Sequence, residues 1–157
     1  MATWQAPNVT PYGYQPPGAG HGIASITQHL HAKCYVGSTL AANDVIQFGY
    51  LPANAIVTGV TLVADSQLDS GGSPTLAFDV GISGTAQLWK AAITSVGHSA
   101  GVSGDTTMAG AGLLYKNTTG AKLLIQAVCH TVAETPVAGT LELDVSYFVE
   151  DTVGSQA

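Results

Sequence analysis

Four groups of residues have types and spacings that could do chemistry. Gly97-His98-Ser99-Ala100-Gly101 has the G-x-S-x-G pattern of a nucleophile elbow, and Asp105 and His130 follow in the order an acid and a base would need. An elbow requires a sharp turn from a strand into a helix. The residues after Gly101 are small and polar with no helical period, so a loop is the better reading. His29 and His31 stand two apart, which puts both rings on one face of a strand, where His130 or an acid would be needed to complete a zinc set. A solvated or interface face accounts for them better. Asp65 and Asp69, beside Ser70-Gly71-Gly72, could offer oxygens to calcium, but no D-x-D-x-D-G loop is present and turn carboxylates ordinarily bond nearby backbone N–H groups. Glu142 and Asp144 share a strand face and are the pair that glycoside chemistry would use. Their alternation with Leu141, Leu143 and Val145 makes them the solvent side of a strand instead. No glycine precedes a Lys-Ser or Lys-Thr pair, which rules out a phosphate loop. The expectation is a protein with no catalytic residue, no metal and no cofactor.

Composition narrows the partners. Charged residues make up only 9% of the 157 and apolar residues 46%, against a norm of about 25% charged. A free monomer normally keeps its surface charged, so much of this surface is expected to lie against other proteins. The net charge is −6, with four lysines (Lys33, Lys90, Lys116, Lys122) and no arginine. Phosphate neutralisation and bidentate base contacts both need basic side chains, so direct nucleic-acid contact is not expected. No run of about 18 apolar residues exists to suggest a membrane span. No basic-then-apolar leader opens the chain, so a cytoplasm is the expected place of synthesis and the sequons at Asn8 and Asn117 are read as chance. Cys34 and Cys129 fall at apolar-phase positions and read as buried thiols.

The elements that would position these residues are strands. Residues 51–82 hold two runs flanking the turn formers Asp69-Ser70-Gly71-Gly72-Ser73-Pro74. In the second run Leu76, Phe78, Val80 and Ile82 share one face, and Thr75, Ala77, Asp79 and Gly81 the other, the alternation of a half-buried strand. Residues 25–36 alternate in the same way, with His29, His31, Lys33 and Tyr35 outward and Gln28 as the exception. Further strands are expected at 45–50, 56–64, 122–129 and 141–149, with a short one at 113–115. Residues 86–94 fit a short strand or a turn-like element, residues 95–112 a long low-complexity loop, and 117–120 a hairpin turn. Seven or eight strands and no helix of ten residues predict an all-β fold, an antiparallel β-sandwich that is jelly-roll-like.

Residues 1–22 read differently. Trp4, Pro7, Pro11, Tyr12, Tyr14, Pro16 and Pro17, with Gly18 and Gly20, favour an extended arm that cannot join a ladder. Its aromatic residues suit anchoring on another subunit or protein, and a fold-back on its own domain is the competing arrangement. The expected organisation is an arm at 1–22, a β-sandwich domain at 23–151 and a short polar tail at 152–157.

Leu51-Pro52, Ala55, Val57, Gly59, Val60, Leu62 and Val63, followed by Asp69-Ser70-Gly71-Gly72 and Leu76, Phe78, Val80 and Gly81, resemble small virion structural proteins of tailed bacteriophages. Within that group the chain is similar to head decoration, or cement, proteins. The resemblance is clearest over residues 44–84. It implies a non-enzymatic protein on the outer capsid surface, bound to the major capsid protein as a homo-oligomer, a trimer being favoured. Another virion part (head-fibre base, tail tube or tail tip) and a glycan-binding module are the alternatives.

Overall fold

The computed structural model describes residues 27–98, 103–105 and 112–150. The expected arm at 1–22, with its seven named aromatic and proline residues, and the tail at 152–157 lie outside them. Among the described residues there are eight strands: β1 (Gln28–Val36), β2 (Val45–Leu51), β3 (Ala55–Ala64), β4 (Ala77–Ile82), β5 (Thr85–Ile93), β6 (Ser103–Asp105), β7 (Leu123–Thr131) and β8 (Gly139–Val149). They form two four-stranded sheets ordered β1-β8-β3-β6 and β2-β7-β4-β5, and every pairing is antiparallel. Apart from the β4–β5 hairpin, each successive strand crosses to the other sheet, which winds the chain as the double Greek key of a jelly roll.

The core follows from alternation. Leu141, Leu143 and Val145 on β8 and Val57, Val60 and Leu62 on β3 point inward, facing Phe48 on β2, Ile125 and Ala127 on β7, and Phe78 and Val80 on β4. β1 obeys the expected phase: Ala32 and Val36 are buried, while His29, His31, Lys33 and Tyr35 are exposed.

β4 departs from its expected half-burial, since all six of its residues are buried. The cause is the returning hairpin, which curls over its outer face. A Cβ on Gly81 would fall 2.2 Å from the Thr85 carbonyl oxygen and 2.7 Å from that of Ala86, so only glycine permits this approach. The curl also covers Asp79, whose Oδ1 accepts the Ala92 N–H at 2.7 Å and whose Oδ2 accepts the Gln87 amide at 3.0 Å and His130 Nδ1 at 3.0 Å. The stretch 86–94, ambiguous in sequence, lies in β5 up to Ile93; Ala92 there adopts φ +50°, stabilised by the bond to Asp79. Trp89 is fully buried and meets Tyr115 edge-on at 6.4 Å.

Two further buried polar side chains tie the crossovers down. Asp69 accepts five backbone N–H groups, from Gly71, Thr75, Leu76, Glu134 and Thr135, at 2.8–3.2 Å. It thus joins the β3–β4 connection to the β7–β8 connection. Asn117 donates to the carbonyls of Leu51, Pro52 and Ala121 and accepts from Thr119, closing the turn before β7. Its side chain is fully buried, so that sequon is closed to modification in the folded protein. Residues 113–115, expected as a short strand, form a turn in which Leu114 has φ +53°, and only Lys116 bridges to Ile56.

Burial opposes charge on Asp69, but the N–H groups of Thr135, Thr75, Glu134 and Leu76 outweigh it and hold the carboxyl well below the ordinary carboxylate range. A depressed folded-state pKa gives stability that is complete above the unfolded value, about 4, and is lost as pH falls below it. We expect Asp69→Asn to lower unfolding free energy by about 2–4 kcal/mol at pH 7, because one acceptor becomes a donor aimed at N–H groups. In urea titrations the loss of stability between pH 5 and pH 3 should be shallower in the variant than in the parent. A variant with the parent's pH profile would show that the carboxylate charge does not hold the crossovers.

Candidate interaction surfaces

The two outer faces of the sandwich differ in chemistry. On the first sheet, register places His31 opposite Asp144 and Lys33 opposite Glu142. His29 Nδ1 lies 3.2 Å from Asp144 Oδ1, and His31 lies 3.6 Å from Glu142 Oε2 and 3.8 Å from Asp144 Oδ2. Lys33 Nζ donates to Glu142 Oε1. The result is a polar ladder across β1 and β8 in which two histidines and a lysine face two carboxylates. The sequence foresaw both rows as outward-facing but did not bring them together; the strand register does so. Among the described residues, no three His, Cys, Asp or Glu side chains converge where a metal ion would sit.

The remaining chemistry-bearing residues serve the fold. Asp69 has its carboxylate filled by backbone donors, and Asp65 accepts the Thr140 N–H at 2.9 Å with Ser66 beside it. His98 donates from Nε2 to the Leu76 carbonyl, and Gly97 takes φ +88°. Ser99, Ala100 and Gly101 of the elbow pattern lie outside the described residues. Of its would-be acid and base, Asp105 belongs to β6 of the first sheet and His130 to β7 of the second. The carboxylate that meets His130 is Asp79, which the sequence reading had placed on an open face. Desolvation raises its pKa, but the Ala92 N–H, Gln87 and His130 together keep it below the usual range. A lone acid beside a glycine in an otherwise apolar strand was the available signal.

The outer face of the second sheet carries rungs without charge. Val45 stands opposite Val128, Gln47 opposite Gln126, and Tyr50 opposite Leu124. Val45 and Tyr50 are 46% and 51% exposed, large values for apolar side chains on a strand. Lys122 Nζ sits 4.4 Å over the Tyr50 ring. Sequence reasoning did not single out this strip, since its members come from two strands whose pairing alternation cannot specify. Leu113 and Leu114 are also exposed, at the turn before Tyr115.

Comparison with known proteins gives a direction to these surfaces. No family model matches the sequence, and no curated protein matches it. Among solved structures, a chain of the cyanophage Pam1 capsid asymmetric unit is 26% identical with a TM-score of 0.69, over 95% of this chain and 94% of that one. A chain of the capsid of Ralstonia phage GP4 is also 26% identical with a TM-score of 0.69, over 82% and 88%. This chain is similar to chains of phage capsids. The similarity supports a phage virion structural protein.

Exposed charge pairs contribute little, because both partners are already solvated. Lys33→Ala should therefore change unfolding free energy by less than about 1 kcal/mol in denaturant titrations. The thiols should separate by burial. Desolvation, and then the Asp44 charge, push Cys129 up to about 11. Cys129 is expected to resist a thiol reagent at pH 8 until the protein unfolds, whereas the partly exposed Cys34 reacts first. Equal labelling of both in native protein would contradict this burial.

Proposed function

We propose that the chain is a non-enzymatic head decoration protein that binds the outer surface of a phage capsid and stabilises it. The similarity to capsid chains over nearly the whole length carries this reading. Three further properties support it. The surface is poor in charge and the chain lacks arginine, which suits a partner that is protein and not genome. The acid and base of the elbow pattern lie in different sheets, and the acidic pairs lie in solvated ladders or buried turns. The arm, with Trp4, Tyr12 and Tyr14 among Pro7, Pro11, Pro16 and Pro17, has the composition of an extended anchor, and several arms on one oligomer bind with avidity.

In this reading the major capsid protein is the partner, the arm and loops pin the protein to it or to its own copies, and the protein works as a homo-oligomer, a trimer being favoured. Removing residues 1–22 should abolish saturation of expanded empty heads in a co-sedimentation assay. Replacing Trp4, Tyr12 and Tyr14 with alanine should weaken it by at least about tenfold, as loss of aromatic anchors does. Saturation by the truncated protein at the parent's concentration would disprove the arm's role. Electron microscopy of the particle gives the decisive position: density on the head exterior supports decoration, and density only at a tail or head fibre assigns the protein to another virion part.

A further inference from the structure

The uncharged strip on β2 and β7 is an interaction surface whose occupant is written in the same chain. Its three rungs, Val45/Val128, Gln47/Gln126 and Tyr50/Leu124, carry no charge, unlike the ladder on the opposite face. β2 is also an edge strand, so the strip is open on one side. Residues 1–22 contain no Asp, Glu, Lys or Arg, and residues 4–17 combine three aromatic residues with four prolines. Such a segment cannot extend the β2 ladder through every residue. Its composition suits docking as a polyproline-like ribbon on exposed aromatic and aliphatic side chains, with little ordering cost because proline fixes its shape in advance. Tyr50, with Lys122 steadying its ring, is the aromatic such a ribbon needs.

The route favours a neighbour's arm. Leu30 of β1 lies against Gly49 of β2, where a Cβ would come within 3.0 Å of it. The arm therefore enters β1 at the Tyr50 end of the strip. It enters through the first sheet, however, while the strip faces outward from the second. A chain's own arm would have to round the β2 edge and reverse direction to reach it. In extended form residues 4–17 span about 43 Å, against about 23 Å for the seven residues of β2. Residues 18–26, with glycine at 18, 20 and 22, add reach of up to about 30 Å for crossing between copies.

We propose that residues 4–17 of one copy lie along the β2–β7 strip of a second copy, with Tyr50 as the central contact. Each copy then gives one arm and takes one, a heterologous contact that closes into a ring. This rests on the reading of the protein as an oligomeric virion component, and the test separates the two. A photo-cross-linking residue, p-benzoylphenylalanine, is placed at position 4 of the full-length chain, and isotopically heavy and light protein are mixed before irradiation. Cross-links joining heavy to light chains within the Val45–Leu51 or Leu123–Thr131 peptides are the expected result. Cross-links confined to one chain, or directed elsewhere on the body, overturn the proposal. Tyr50→Lys, an exposed change that sets a second cation beside Lys122, should raise the concentration for half-assembly at least tenfold while leaving the melting of the isolated subunit unchanged. An unchanged assembly concentration overturns the proposal as well. Head binding is scored separately. Cross-links between copies in a protein that no head takes up would remove the decoration reading and keep this contact, whereas head binding with only intrachain cross-links would do the reverse.

Discussion

The convergence of five backbone N–H groups on the buried Asp69 carboxylate is the constraint on which the rest of this sandwich depends. A jelly roll sends nearly every connection across the gap between its sheets, and those connections contain backbone groups that no ladder can satisfy. Each unpaired buried group would cost about 1–3 kcal/mol. Asp69 serves two connections at once, Asn117 serves a third, and Asp79 holds the curl of β5. With the crossovers fixed in this way, the apolar layers of β3 and β8 can meet those of β4 and β7 in one register.

Asp69 and Asp79 are spent inside the body, while Glu142 and Asp144 stand outside on one face, paired with His29, His31 and Lys33. The β2–β7 strip of the other face has uncharged rungs, with Lys122 at its Tyr50 end. The two faces of the body thus differ in chemistry, in a chain similar to those of phage capsids.

Much of the architecture was legible in the sequence. β1, β3 and β8 have one face in solvent, so their alternation reports burial faithfully. β4 misled because alternation presumes that the second face is open, and the backbone of residues 85–86 covers it. Gly81 was the visible trace of that covering. The three residues of β6 are too short for any period to register, and they pair with β3 across a long sequence gap. Individual acids were also harder to place than strands. Asp65 and Asp69 look alike in sequence, yet one is exposed and the other is sealed, because only the second meets the β7–β8 connection. The paired face of histidines and carboxylates needed the register of β1 on β8, which depends on the whole winding and not on any local pattern.

The neighbour relation between β1 and β8 has a consequence for biosynthesis. Val36 lies opposite Gly139 and Gln28 opposite Tyr147, partners separated by more than a hundred positions along the chain. β1 must wait for β8 to be synthesised before its ladder can form. Such long-range pairing is intrinsically slow. Until then β1 lacks its ladder partner, and an unpaired strand of this kind is a point of aggregation during folding.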